Sequence, residues 1–240
     1  MRLSFTFFDC AESALLVDFG VRYSKSLSLE ILTISEGLAK RELPGMKESI
    51  PALSSLTVFY DPLLLSRERL TAEIEAVCSA EQTTALRSRT WELPVIYGGE
   101  SGPDLEDVAS RAGLTASEAA SLHAGELYQV YMLGFLPGFA YLGDLPEPLR
   151  LPRRSTPRTR VPAGSVAIAA EMTAVYPLES PGGWHLIGYT PIVLWDIARQ
   201  DEPLLKPGDG VRFVEVDSLE AEELRNRSAA GWRPEPAGRE

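Results

Sequence analysis

Two hydrophobic rhythms alternate along the first eighty residues. Residues 3–8 place Leu3, Phe5 and Phe7 on one face of a strand, and Ala14–Phe19 reads as a second strand stopped at Gly20. From Ser26 to Leu43 the spacing lengthens. Leu27, Ile31, Ile34 and Leu38 recur at the interval of an amphipathic helix, which Pro44-Gly45 ends. Lys47–Leu53 and Leu56–Tyr60 return to strand character on either side of Ser54-Ser55. After the turn at Asp61-Pro62, Ser66 caps a helix reaching about Ala80, with Leu70, Ile74 and Val77 inside. The order β-β-α-β-β-α predicts a small α+β domain over residues 1–82, a sheet with two helices on one face.

The polar stretch Glu81–Arg89 marks a boundary. Beyond it, Thr90–Tyr97 is a strand ending in Gly98-Gly99, Asp104 starts a short helix and Gly113 stops it. Thr115-Ala-Ser-Glu118 is a capping box, whose helix runs to about His123. Strand-like runs then dominate: Tyr128–Leu133, Ser165–Ala169, Leu186–Gly188, Ile192–Asp196 and Gly210–Val216, the last fed by the turn Pro207-Gly-Asp-Gly210. Short strands separated by Gly and Pro predict a mainly β domain, a closed barrel, over residues 90–217. Residues 218–240 are polar without apolar periodicity and are expected to fray as a tail.

Charge narrows the range of partners. The formal net charge of −11 argues against nucleic acid or an anionic membrane as the main partner. Against that background, residues 152–162 hold four arginines and no acid. The two cysteines, Cys10 and Cys78, have no metal-ligand spacing and fit a reducing compartment. The N-terminus lacks the length and cleavage site of a signal peptide, and no apolar run is long enough to span a bilayer. The expectation is a soluble, cytoplasmic protein.

Candidate chemistry gathers between Tyr131 and Pro191. No P-loop, dinucleotide-binding glycine motif or serine-hydrolase elbow occurs, and two histidines without a cysteine cluster give no metal site. Arg153, Arg154, Arg158 and Arg160 could fork around a carboxylate or phosphate, stiffened by Pro152, Pro157 and Pro162. The other reading is pairing with nearby carboxylates. Pro181-Gly182-Gly183-Trp184 could present backbone amides as an anion nest walled by the indole, or could be a hairpin turn with a buried Trp. Phe139 and Tyr141, on the Gly- and Pro-punctuated loop 131–143, complete the candidate pocket. His123 and His185 are candidates for proton transfer. The structural reading of His123 is a cation at a helix carboxyl end, and that of His185 an ordinary exposed or hydrogen-bonded side chain. Glu171 and Glu179 are candidate bases only where the fold brings them near the arginines.

An ordered set of motifs covers almost the whole chain: Leu-Leu-Val-Asp-Phe-Gly (15–20), Leu-Pro-Val-Ile-Tyr-Gly-Gly (93–99), Gly-Pro-Asp-Leu (102–105), Gly-Phe-Leu-Pro-Gly-Phe (134–139), Pro-Arg-Arg (152–154), Val-Pro-Ala-Gly-Ser-Val (161–166), Pro-Gly-Gly-Trp (181–184) and Leu-Leu-Lys-Pro-Gly-Asp (204–209). It resembles the allophanate hydrolase subunit 1 family, which includes the B subunit of bacterial ATP-dependent 5-oxoprolinase and the kinase inhibitor KipI. The resemblance implies a cyclophilin-like barrel. It also implies work with a homologous C subunit, and with an A subunit, in opening a small lactam or amide substrate, 5-oxoproline, to glutamate at the expense of ATP. A subunit of this kind is expected to be inactive alone. Two other activities accompany the resemblance: inhibition of a sensor histidine kinase, and the carboxyltransferase part of a biotin-dependent urea or amide carboxylase. The chain departs from the family pattern where Gly-x-Gln-Thr is replaced by Ala170-Glu-Met172-Thr, and where Trp-Gln becomes Trp184-His185. Tyr189 stands at a commonly basic position. If the absent Gln touches substrate, Met172 alters the substrate.

Overall fold

The first six elements follow the predicted order. The computed structural model describes residues 4–20, 22–80, 88–197 and 202–239. Leu3 and most of the predicted boundary, Glu81–Arg87, lie outside them. The chain divides into two compact units, Met1–Arg87 and Ser88–Glu240.

In the first unit, β1 (Thr6–Ala11), β2 (Ala14–Asp18), α1 (Lys25–Ala39), β3 (Met46–Pro51), β4 (Ser55–Tyr60) and α2 (Arg67–Ser79) form an antiparallel sheet ordered β1-β2-β4-β3 with two helices. Alternation decides the buried face. Leu56, Val58 and Tyr60 of β4 are buried together with Leu15 and Val17 of β2, and against them pack Leu27, Ile31, Ile34 and Leu38 of α1 and Leu70, Ile74 and Val77 of α2. Both helices begin as their residues dictate, with the Ser24 and Ser66 hydroxyls accepting from the Leu27 and Arg69 amides. Helix α1 ends at Ala39, short of the predicted Leu43. Leu43 still folds back into the core, so its apolar character extended the helical pattern past the helix.

The second unit is a closed barrel. Strands β5 (Arg89–Tyr97), β6 (Leu127–Leu133), β7 (Ala140–Gly143), β9 (Ser165–Ala169), β10 (Met172–Val175), β12 (His185–Tyr189) and β13 (Gly210–Glu215) pair in the cyclic order β12-β9-β10-β7-β6-β13-β5 and back to β12. All of these pairings are antiparallel except β13–β5. Closure removes the sheet edges, and Leu93, Val95, Val130, Leu142, Val166, Ile168, Ile187 and Phe213 fill the core. Helices α3 (Leu105–Ala112) and α4 (Ala116–Ala124) pack on each other, and the Thr115–Glu118 capping box is complete. Apart from the barrel, β8 (Arg158–Val161) and β11 (Ser180–Gly182) form a two-stranded ribbon.

Two expectations are corrected. Ile192–Asp196 is not a strand, although Ile192 and Leu194 are core residues. Its backbone is satisfied instead by the Ser228 hydroxyl at Val193 N and by the Leu204 amide at Leu194 O. Residues 218–239 are not a frayed tail. Asp217 caps helix α5 (Ser218–Ala229), accepting from the Leu219 and Glu220 amides, and β14 (Gly238–Arg239) pairs with β5. Between them the Arg227 guanidinium lies 4.1 Å over the Trp232 ring. Among the described residues no helix is long and apolar enough to cross a membrane.

Candidate functional site

Pairing of β8 with β11 brings the arginine segment to the Pro-Gly-Gly loop. Gly182 stands opposite Arg158, and the Arg154 amide donates to Gly183 O at 2.8 Å. The Pro-Gly-Gly segment is extended, and neither glycine has a positive φ, so no alternating-hand anion nest forms there. Gly182 is required for another reason: a Cβ at that position would stand 2.3 Å from the Tyr176 hydroxyl.

A cleft of about 230 Å³ lies over this junction, lined by Phe135, Phe139, Tyr141, Arg153, Pro157, Tyr176, Pro181, Gly182, Gly183 and Trp184. Its wall is a lattice of rings. Phe139 sits edge-on to Tyr176 at 5.2 Å and to Trp184 at 6.0 Å, and Tyr141 lies 5.0 Å from Phe139. Phe135, at the rim, is exposed and adopts φ +68°, a conformation that costs energy for an aromatic residue. The turn that fixes it is bonded at both ends, Gly134 N to Phe139 O and Phe139 N to Leu136 O. At Gly138 (φ +77°) a side chain would meet Trp195 at 2.5 Å.

The four arginines separate. Arg154 and Arg158 turn to Asp104, whose side chain is 7% exposed. One carboxylate oxygen accepts from Arg154 Nη1 and Arg158 Nη2, and the other from Arg158 Nη1 and the Leu186 amide, at 2.7–2.8 Å. Burial pushes the Asp104 carboxyl up. Hydrogen bonds from Arg158 and Leu186 and the two guanidinium charges oppose that, and they hold it below the usual carboxylate range. Arg160 pairs with Glu179 at 2.6 Å on the surface, and Glu171 stands 3.9 Å from Arg150, so neither acid reaches the cleft. Arg153 is the one of the four with no carboxylate partner among the described residues, and it lines the cleft. Burial raises the Tyr141 and Tyr176 hydroxyl pKa values while Arg153 pulls both the other way. Both phenols are therefore neutral donors at pH 7.

The cleft thus unites Arg153, Phe139, Tyr141, Pro181, Gly182, Gly183 and Trp184 of the sequence candidates. It omits Arg154, Arg158, Arg160, His123 and His185. His123 is fully buried in the barrel, stacked 4.7 Å from Phe213. Thr173 Oγ1 donates to Ala167 O, so it accepts from His123 Nε2 at 2.8 Å. That leaves Nδ1 to accept the Tyr97 hydroxyl at 2.7 Å. Burial drives the His123 pKa down to about 3, so the ring is neutral and not a cation at a helix end. His185 is buried and donates Nε2–H to Pro152 O at 2.9 Å, bracing the arginine segment from behind. Met172 is a buried residue of β10 outside the cleft lining. Sequence reasoning missed Phe135 and Tyr176 as cleft residues, although both lie within the stretch 131–191 where the candidate chemistry gathers. It read Asp104 only as a helix start, and no local pattern links that residue to arginines 50 and 54 positions away.

Comparison with known proteins agrees with this architecture. Residues 5–205 match the family described as carboxyltransferase domain, subdomain C and D. The chain is 48% identical over 180 residues to the 5-oxoprolinase B subunit of Escherichia coli O157:H7, covering 74% of this chain and 82% of that protein. It is 35% identical over 239 residues to the 5-oxoprolinase B subunit of Bacillus subtilis (strain 168), covering 95% and 100%. The crystal structure of TTHA0988 superposes with a TM-score of 0.76 at 41% identity over 85% of this chain, which spans 40% of that protein's length. The chain belongs to the allophanate hydrolase subunit 1 family, the carboxyltransferase-domain family that contains the 5-oxoprolinase B subunits.

Proposed function

We propose that this protein is the B subunit of a cytoplasmic ATP-dependent 5-oxoprolinase, and that the Arg153 cleft receives the lactam. The carrying observation is a guanidinium with no carboxylate partner among the described residues, at an aromatic-walled cleft of about 230 Å³. That volume is below the roughly 300–1,000 Å³ of drug-sized pockets and suits a small metabolite. Arg153 takes the carboxylate of 5-oxoproline through paired N–H donors, the rings cover its methylenes, and a neutral Tyr141 or Tyr176 hydroxyl donates to the lactam oxygen. An unstrained lactam resists water, and phosphoryl transfer from ATP to its oxygen supplies the activation. The cleft positions the substrate; no described residue in it is a general base. A homologous C subunit, with an A subunit, completes the reaction, and this chain alone is inactive.

The test is 5-oxoproline-dependent ADP release by the chain purified with its C and A partners. Losing one charge-assisted contact costs about 1.5–3 kcal/mol, so Arg153→Ala lowers kcat/KM by about 10- to 150-fold. Undiminished turnover in that variant refutes the assignment. The family's carboxyltransferase description carries a second reading, transfer of a carboxyl group from a separate biotin carrier. Turnover that requires bicarbonate and a biotinylated protein selects it over the first.

A further inference from the structure

A second cavity, of about 340 Å³, shares no lining residue with the Arg153 cleft. Three guanidinium groups line it: Arg158 and Arg160 from β8 and Arg225 from α5. Each keeps donors unspent. Arg158 uses Nη1 and Nη2 on Asp104, which leaves its Nε–H and the outer Nη hydrogens. Arg160 engages Glu179 through Nε, leaving both Nη groups. Arg225 lies 5.3 Å over the Tyr189 ring and has no carboxylate partner among the described residues, so its edge donors are open. The Ser101 and Ser165 residues add hydroxyls to the lining, and Glu100 is its only carboxylate.

We propose that this cavity binds a phosphate-type oxyanion, either free phosphate or the phosphoryl end of a larger molecule, between Arg158, Arg160 and Arg225. Converging donors from a ribbon and a helix suit a tetrahedral dianion, which accepts from several directions. A single carboxylate is satisfied by one guanidinium fork. A dianion also competes better for Arg158 and Arg160, whose charges are partly offset by Asp104 and Glu179. On a protein of net charge −11 the attraction is local, since the overall field repels anions. Helix α5 lies beyond residues 5–205, the part that matches the family model, and within the length aligned with the Bacillus subtilis B subunit. The inference is independent of the 5-oxoproline reading, because it concerns another cavity and its test uses no turnover.

Isothermal titration of the full chain with inorganic phosphate and with pyrophosphate, at fixed ionic strength, tests it. Arg225 is exposed on its helix, so Arg225→Gln leaves the fold intact, which circular dichroism checks. The expected result is binding that weakens about tenfold in Arg225→Gln and again in Arg160→Gln, the scale of one charge-assisted contact each. It tightens in Glu100→Gln, where a repelling carboxylate is gone, and is unchanged in Arg153→Ala. Tighter pyrophosphate than phosphate identifies a phosphoryl-bearing ligand, and equal affinities identify free phosphate. The proposal is overturned by absence of binding below about 10 mM, by equal affinity of Arg225→Gln and the parent, or by loss that follows Arg153 instead.

Discussion

Replacing Asp104 by asparagine keeps the shape of the side chain and removes its charge, in the group that holds the arginine segment in place. The carboxylate accepts four hydrogen bonds, three from Arg154 and Arg158 and one from the Leu186 amide. An amide can accept at one oxygen only. In either orientation its NH2 faces two donors, so two of the four bonds are lost together with the ionic attraction. Breaking a buried ion pair from one side costs about 3–5 kcal/mol. The guanidinium side chains are 32% and 24% exposed, and water recovers part of that cost. The expected loss is therefore about 2–3 kcal/mol at pH 7. All four tryptophans, Trp91, Trp184, Trp195 and Trp232, lie in the barrel unit, so urea unfolding followed by tryptophan emission reports that unit alone. The sign of the pH dependence is fixed by the depressed carboxyl. The folded state binds this proton less readily than the unfolded chain. Its contribution is complete above the unfolded value of about 3.9 and disappears as pH falls through the folded one. The gap between the parent and Asp104→Asn should therefore narrow in acid. A difference under about 0.5 kcal/mol at pH 7, or a gap that does not narrow with acid, refutes the cluster's assigned role.

Two further outcomes bear on the barrel, alongside the turnover loss expected for Arg153→Ala. His123 is held neutral by burial, with its pKa down at about 3, so the unfolded chain takes up its proton first as pH falls below about 6.5. Stability contributed by this group declines by about 2 kcal/mol between pH 7 and pH 5. His123→Gln flattens that part of the profile in the same tryptophan-detected urea titrations. Ala170 occupies φ +52° in the exposed turn between β9 and β10, a conformation that favours Gly. Relief of that strain in Ala170→Gly outweighs the added freedom of the unfolded chain by about 0.5–1 kcal/mol, and calorimetry should show the melting temperature rising by about 1–4 °C.

The N-terminal unit was legible because its elements are amphipathic. Its strands bury alternate residues and its helices bury one stripe, so the change of period in the sequence follows the change of structure. The barrel was legible only in outline. Every residue of β9 and β10 is buried, so those strands carry no alternation, and β10 was overlooked. Strands β7, β8 and β11 are three or four residues long and rich in glycine, proline or arginine. Helix α5 hides for the opposite reason. Only Ala221 and Ser228 of it are buried, and the Ser228 hydroxyl, accepting from Val193 N, ties it to the rest of the unit.

The sequence by itself determined the family, the order of elements in the first unit, the β-rich character of the second and the two loops that meet at the cleft. Local patterning and turn chemistry suffice for these, because each depends on residues close together in the chain. Tertiary structure alone decided which arginine is available. Four guanidinium groups within eight positions look equivalent in sequence, yet Asp104 takes two of them and Glu179 a third. Arg153 is left facing the rings, and Arg225 joins Arg158 and Arg160 at a second cavity. An ion pair is specified by distance and burial in three dimensions, and neither quantity is written in the spacing of charges along a chain.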